Sequence, residues 1–350
     1  MTSFEPVREL LESFADDGRE IGAGLSIWHR DKEALRVSVG TVNDAGDPWE
    51  DDTLVHTYSV GKPLAALAAL VAVARGQLKL DEPLAAVWPA YGVRGKASTT
   101  LRQVLSHTAG QQYFPPSDVD LFDTAGLIRT LEEATPTAKP GSAIAEHALT
   151  YGHLIDGALA AAGAPSVADT IAEIAAEADW DLFFGVPEYD LDRVADLAYL
   201  QPDWVERTDS KAFAYPPGTL DISILNSDRW RQHSFPAIGL HATASGLAKF
   251  YWNLTDDEGP VADAIGVDLL HEYINVQASG PDQLLKRDVE WTLGFQIDED
   301  DITMGGIGGS AGWYDAELDY SFGFVTRGLA DHERATELWH ATIACLAEPS

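Results

Sequence analysis

A serine and a lysine, Ser59 and Lys62, are the residues of this sequence best suited to do chemistry. They lie where a short apolar segment meets a long run of Ala, Leu and Val. On a helix, side chains at i and i+3 share one face, so the Lys62 amine would approach the Ser59 hydroxyl. A buried lysine with a lowered pKa can accept the serine proton, and the free N–H groups of a helix N-terminus can stabilise an oxyanion. The spacing therefore favours Ser59 as a nucleophile that Lys62 activates.

A second serine, Ser310, competes for the same role. Residues 308–312 read Gly-Gly-Ser-Ala-Gly, which satisfies the Gly-x-Ser-x-Gly pattern of a nucleophile elbow. That elbow requires a strand before the serine and a helix after it. The segment that follows Ser310 has the alternation of a β-hairpin instead, so Ser59 is the better candidate.

Hydrophobic periodicity indicates which elements position these residues. Helices are predicted at both ends of the chain, in residues 4–16 and 332–346, and from Ser59 to a stop at Gly76. Strands are predicted at residues 21–29, 34–42, 52–57, 291–298, 301–304, 312–316 and 320–327. From about residue 80 to residue 285 the pattern predicts mostly short helices separated by Pro and Gly loops.

This distribution predicts an α/β fold of the α+β type. An antiparallel sheet built from both chain ends would be flanked by the first and last helices, with a mostly helical region inserted between them. The corresponding domains are residues 1–78 plus 286–350 for the sheet and residues 79–285 for the helical insertion. With 350 residues, the chain is long enough for a substantial core.

The charge of the chain limits its partners. Lys and Arg number 23 against 56 Asp and Glu, a net charge of −33. Such a surface repels nucleic acid and anionic membranes, so we expect neither as a partner. It leaves the oligomeric state open.

Other features argue against a secreted, membrane or metal-dependent protein. The one cysteine, Cys345, excludes an intramolecular disulfide. The first residues lack the basic and apolar regions of a secretory signal, and no apolar run reaches transmembrane length, so we expect a cytoplasmic protein. The ten histidines lack metal-ligand spacing, and we expect neither a metal nor another cofactor.

Several segments together resemble the penicillin-recognising serine hydrolases, in particular their β-lactamase-like esterase branch. They are Ser-Val-Gly-Lys at 59–62, Leu-Ser-His-Thr-Ala-Gly at 105–110, residues 140–154, residues 241–250, Leu-Gly-Phe at 293–295 and Gly-Gly-Ser-Ala-Gly-Trp at 308–313. The resemblance covers most of the chain and is weakest at residues 165–235. It implies a β-lactamase/transpeptidase-like fold.

The resemblance also implies roles for individual residues. Ser59 would be acylated, Lys62 would be its general base, and Tyr151 would pass a proton to the leaving group. A tyrosine that is hydrogen-bonded to a cationic lysine could relay such a proton. His153 would either contact substrate or pack inside the fold, and Tyr113 is a candidate for the wall of an apolar substrate cleft.

The third motif of the family departs from its usual form in this chain. A cationic or histidine residue normally stands where this sequence has Met304, followed by Gly305 and Gly306. A methionine can neither hold a substrate carboxylate nor move a proton. We therefore expect weak or absent β-lactamase and peptidase activity. The Ile307 and Ser59 N–H groups would form the oxyanion hole, with Gly306 permitting close backbone approach.

The resulting expectation is a serine hydrolase that cleaves a small-molecule ester or amide through an acyl-enzyme on Ser59. An acyltransferase would use the same acyl-enzyme but pass the acyl group to an alcohol or amine. A non-hydrolytic or binding member of the fold is the other alternative, which Met304 suggests. Against it, a binding module would not require Ser59, Lys62 and Tyr151 together.

Overall fold

The computed structural model describes residues 3–208 and 210–347. Its strands are β1 (Gly22–His29), β2 (Glu33–Gly40), β3 (Val55–His56), β4 (Leu182–Phe184), β5 (Ala198–Tyr199), β6 (Leu240–Ala242), β7 (Ala278–Pro281), β8 (Asp288–Trp291), β9 (Gln296–Asp298), β10 (Asp301–Gly305), β11 (Ala311–Asp315), β12 (Tyr320–Thr326) and β13 (Gly328–Leu329).

Its α-helices are α1 (Glu5–Asp16), α2 (Lys62–Ala74), α3 (Leu101–Leu105), α4 (Thr124–Glu133), α5 (Thr150–Ala161), α6 (Val167–Ala178), α7 (Trp204–Thr208), α8 (Ile222–Leu225), α9 (Asp228–Arg231), α10 (Ala244–Trp252), α11 (Pro260–Ile265), α12 (Val267–Ile274) and α13 (Glu333–Ala347). Short 3₁₀ turns cover Ser59–Gly61, Leu84–Ala86, Glu188–Arg193 and Lys211–Phe213. Among these described helices, none is both long and apolar enough to cross a membrane.

One eight-stranded antiparallel sheet joins the two ends of the chain. Its strand order is β2-β1-β12-β11-β10-β9-β8-β7, and β1 pairs with β12 so that Leu25 lies opposite Phe324. Helices α1 and α13 pack together on one face, while α10 packs on β12 and β1. Gly323 permits this approach, because a Cβ there would lie 2.4 Å from the Ala244 carbonyl oxygen. The predicted sheet, flanked by the first and last helices, is confirmed.

Several details differ from the predicted strands. The short strands β4, β5, β6 and β13 were not expected, and the first three lie in the region predicted to be mostly helical. Strand β7 was not expected, and it forms by pairing with β8 at the far edge of the sheet. The predicted strand 291–298 is broken between β8 and β9 by a turn at Gly294, whose φ is +125°. Strand β3 does not join the large sheet but pairs with β6 in a separate three-stranded sheet. The division of the chain into two domains stays a prediction.

Helix α2 occupies the centre of the fold. Its residues are nearly all Ala, Leu and Val, and every one from Lys62 to Ala72 is buried. A helix that is apolar all round is stable only inside a core. Pro63 lies in its first turn, where a missing N–H costs no helical hydrogen bond. This burial places the start of α2, and Ser59 before it, inside the protein.

Candidate active site

The Ser59 hydroxyl and the Lys62 amine lie in direct contact at the start of α2. Ser59 opens the 3₁₀ turn that leads into the helix, and the Lys62 Nζ is 2.5 Å from the Ser59 Oγ. The lysine side chain is completely buried. Burial lowers the pKa of Lys62, although a neighbouring carboxylate partly opposes this shift. The lysine is thus suited to exchange a proton with the serine.

The residue before the serine has a strained backbone. Tyr58 has φ +54° and ψ −129°, a backbone conformation that residues other than glycine rarely adopt. Such conformations cost about 1–3 kcal/mol and concentrate at functional sites. Tyr58 is held by burial and by its edge contact with the His56 ring, whose centroid is 4.4 Å away. This backbone conformation bends the chain sharply between β3 and the 3₁₀ turn that carries Ser59.

The neighbouring carboxylate belongs to Glu146. Its Oε1 lies 3.2 Å from the Lys62 Nζ, and only 9% of the residue is exposed. Glu146 stands in the loop before α5, and the backbone on either side of it is fixed to His107. The Ala145 N–H donates to the His107 carbonyl at 3.0 Å, and the His147 N–H donates to His107 Nδ1 at 3.0 Å. Ser59, Lys62 and Glu146 therefore form a continuous chain of polar contacts.

Two buried histidines beside this chain are uncharged. Burial lowers the pKa of His147 to about 3 and that of His107 well below its ordinary value, and the Lys62 charge adds to both shifts. Their contacts are consistent with one tautomer pair. His147 accepts from the Gln111 N–H at Nε2 and donates from Nδ1 to His107 Nδ1, so His107 carries its proton on Nε2. Neither His107 nor His147 therefore places a second positive charge beside the Lys62 ammonium.

A cavity of about 420 Å³ opens onto Ser59 and Glu146. One wall comes from β10 and β11, and another from the first turns of α13. Its apolar lining includes Leu285, Trp291, Met304, Ile307, Trp313 and Trp339. Its ionisable lining outside the serine site consists of Arg287, Asp298, Asp301 and His332. The cavity is large enough for a small organic ester and mostly apolar.

The structure brings the residues of the third motif to this cavity. The Met304 side chain is buried against Val289 and Trp291, so it offers the site no polar group. A Cβ on Gly306 would lie 2.0 Å from the Thr57 carbonyl oxygen, so only glycine lets β10 approach the segment before Ser59 this closely. Ile307 and Ser59 both line the cavity, and the oxyanion hole formed by their N–H groups stays a prediction.

His332 is a cavity residue that the sequence did not reveal. It precedes α13, and its Nε2 lies 3.0 Å from the position that a Cβ on Gly305 would occupy. Gly305 follows Met304 at the end of β10. The His332 imidazole thus lies beside the third motif, in which Met304 replaces the usual cationic or histidine residue.

Tyr151 does not occupy the place that the resemblance implied. Its buried hydroxyl donates to the Leu105 carbonyl at 3.2 Å. Among the residues described, Tyr151 makes no hydrogen bond to Ser59 or Lys62. Tyr151 lies in the first turn of α5, on the side that faces Leu105 at the end of α3, whereas the loop before α5 carries Glu146 to Lys62. Glu146, which the sequence reasoning missed, holds that position, and its one signal was a carboxylate in an otherwise apolar segment.

Three other candidates lie away from the reacting groups. His153 is packed between the rings of Phe114 and Phe235, at centroid distances of 5.4 and 4.5 Å. The Lys211 Nζ sits 4.6 Å above the Tyr113 ring, and neither His153 nor Tyr113 lines the cavity. The Ser310 Oγ accepts from the Thr326 N–H at 3.2 Å, and a strand follows it, so the elbow geometry is absent.

Comparisons with known proteins agree with this architecture. The esterase/β-lactamase LipL of Mycobacterium tuberculosis is 28% identical over 358 residues, which cover 92% of this chain and 82% of LipL. Esterase EstB of Burkholderia gladioli is 40% identical over 144 residues, which cover 35% of this chain and 37% of EstB. The crystal structure of a family VIII carboxylesterase superposes with a TM-score of 0.85 at 26% identity, covering 98% of this chain and 97% of that one.

The predicted β-lactamase/transpeptidase-like fold is confirmed by these similarities. The family model described as Beta-lactamase matches residues 7–345, which is nearly the whole chain. This chain therefore belongs to the β-lactamase family.

Proposed function

We propose that this protein is a serine ester hydrolase that works through an acyl-enzyme on Ser59. The observation that carries the proposal is the 2.5 Å contact between the Lys62 Nζ and the Ser59 Oγ at the edge of an apolar cavity. A serine without a base is a weak nucleophile at neutral pH. A buried lysine with a lowered pKa supplies that base.

In acylation, the Ser59 Oγ attacks the ester carbonyl carbon while its proton moves to the neutral Lys62 amine. The carbonyl oxygen becomes an oxyanion, which the Ser59 and Ile307 N–H groups would stabilise. Loss of the alcohol leaves the acyl group on Ser59. Attack by water on this ester then releases the carboxylic acid and restores the serine.

The lining of the cavity favours neutral esters. Met304 provides no cation where a substrate carboxylate is usually held, and Trp291 and Leu285 line the same cavity as Ser59. Arg287 in this lining is outnumbered by Asp298 and Asp301. The net charge of −33 disfavours anionic substrates further. LipL, which is named an esterase/β-lactamase, and EstB, which is named an esterase, support an ester as the substrate. We propose a small-molecule carboxylic ester as substrate, with weak β-lactam turnover, and a cytoplasmic location stays a prediction.

Intact-mass measurement tests the proposal. Wild type and Ser59→Ala are incubated with p-nitrophenyl acetate, butyrate and octanoate and with a chromogenic cephalosporin. We expect turnover of the short esters in the wild type alone, with any acyl adduct mapped to Ser59. Equal turnover by Ser59→Ala, or no turnover and no adduct in the wild type, would remove the hydrolase proposal. Adding an alcohol to the same reactions separates hydrolysis from acyl transfer by the product formed.

A further inference from the structure

We infer that Glu146 is the proton-transfer residue of this site: it protonates the departing alcohol and takes the proton of the water that removes the acyl group. This inference rests on the proposed function of Ser59. It assigns to a carboxylate the role that the resemblance assigns to a tyrosine.

Position is the first argument. The Glu146 Oε1 is 3.2 Å from the Lys62 Nζ, and that Nζ is 2.5 Å from the Ser59 Oγ. Glu146 also lines the cavity into which Ser59 opens. A carboxylate that only balanced the lysine charge would not have to face the cavity. This one lies between the general base and the space where substrate and water must stand.

Charge is the second argument. Within the described ranges, Lys62 makes no ion pair except with Glu146. A completely buried lysine is easily neutralised, so one proton can move along the 3.2 Å contact to give an amine and a carboxylic acid. The buried neighbours His107 and His147 are neutral and leave this exchange undisturbed. The remaining ionisable groups of the cavity are Arg287, Asp298, Asp301 and His332.

With these two groups, every proton that moves during acylation has a donor and an acceptor. The reactive form holds the Lys62 amine and the protonated Glu146. As the Ser59 Oγ bonds to the carbonyl carbon, its proton passes to Lys62. As the bond from that carbon to the alcohol oxygen breaks, the alkoxide takes the Glu146 proton. The acyl-enzyme is left with a Lys62 ammonium and a Glu146 carboxylate.

Deacylation returns every proton. Water attacks the acyl carbon and gives a proton to the Glu146 carboxylate. The bond between that carbon and the Ser59 Oγ breaks, and the Oγ takes a proton from the Lys62 ammonium. Lys62 is again an amine and Glu146 a carboxylic acid, so a second turnover can begin. General acid–base assistance of this kind contributes about 10²–10⁴ in rate.

Tyr151 is poorly placed for the same task. Its hydroxyl is engaged by the Leu105 carbonyl, and burial raises the pKa of Tyr151 well above its ordinary value. A neutral phenol held in this way is a poor acceptor for a proton from water, and Tyr151 does not line the cavity.

The experiment compares Glu146→Gln with wild type on esters of two kinds. A p-nitrophenolate leaves without a proton, whereas an ethoxide needs one. With p-nitrophenyl acetate, the variant should give a rapid burst and then release acetate about 100-fold more slowly, so that intact mass shows accumulated acetyl-enzyme. With ethyl acetate, acylation itself should fall by about 100-fold.

Controls separate this role from a structural one. Glu9→Gln, at an exposed position, should behave as wild type. Glu146→Asp should recover part of the deacylation rate, whereas the amide should not.

Two results would overturn the inference. One is unchanged kinetics in Glu146→Gln. The other is an equal loss with both esters and no accumulated acetyl-enzyme, which would mean that Glu146 only positions Lys62. Both leave the Ser59 acyl-enzyme standing. A wild type without turnover that depends on Ser59 would instead overturn the proposed function together with the role of Glu146.

Discussion

The Lys62 Nζ lies 2.5 Å from the Ser59 Oγ in a site where the lysine is completely buried. We expect Lys62→Met, which fills a similar volume without an amine, to lower kcat/KM for p-nitrophenyl acetate by about 10²–10⁴. The measurement is steady-state turnover at saturating and limiting ester, with circular dichroism to verify the fold. Wild-type activity in this variant would exclude Lys62 as the base.

Mutation of Tyr151 should lower stability and leave activity intact, whereas mutation of Glu146 should lower activity. Tyr151→Phe removes the hydroxyl that donates to the Leu105 carbonyl and leaves that buried oxygen without this partner. We expect a loss of about 1–3 kcal/mol in the free energy of unfolding, with kcat/KM kept within about threefold. Urea unfolding and ester turnover measure the two effects. A hundredfold loss of kcat with an intact fold would return the proton-relay role to Tyr151.

Gly306 and Gly305 form a matched pair at the end of β10. A Cβ on Gly306 would lie 2.0 Å from the Thr57 carbonyl oxygen, which is backbone, whereas a Cβ on Gly305 meets only the end of the His332 side chain at 3.0 Å. Gly306→Ala must therefore push β10 and Ile307 away from Ser59. We expect it to reduce kcat at least tenfold, roughly the loss of 1.4 kcal/mol in oxyanion stabilisation. Gly305→Ala should keep most of the activity, and equal effects of the two substitutions would contradict this geometry.

The buried imidazole of His153 should make stability depend on pH. Burial lowers the pKa of His153 to about 3, below an unfolded value near 6.5, so acid favours the unfolded chain. The contribution of the neutral His153 to the free energy of unfolding is complete above pH 6.5 and is lost as the pH falls toward 3. Between pH 7.5 and 5.5, wild type should lose about 1.4 kcal/mol more of its free energy of unfolding than His153→Leu does.

Urea titrations at the two pH values measure this difference. The carboxyl of Asp156, whose pKa is raised to about 6 by burial, acts in the opposite direction. It is present in both proteins and cancels in the comparison. The exposed His340, changed to Leu, is the control for removing an imidazole that is not buried. Parallel pH curves for wild type and His153→Leu would show that His153 titrates normally.

The sequence by itself determined the local features of this protein. The i and i+3 spacing of Ser59 and Lys62 follows from the geometry of a single helical turn, and the apolar run behind them indicated a buried helix. Alternating side chains at both ends of the chain indicated the strands that pair as β1 and β12. The Met304 departure was also visible, because a motif position can be read without a structure.

Only the tertiary structure decided which distant groups meet. Strand β7, with the weak strand sequence Ala-Ser-Gly-Pro, forms because β8 lies beside it. The identity of the polar neighbour of Lys62 depends on how α5 is rotated and packed against α3. That packing turns Tyr151 toward Leu105 and leaves the preceding loop, fixed to His107, to deliver Glu146. Periodicity describes which face of an element is buried, but it holds no information about which buried partner that face will meet.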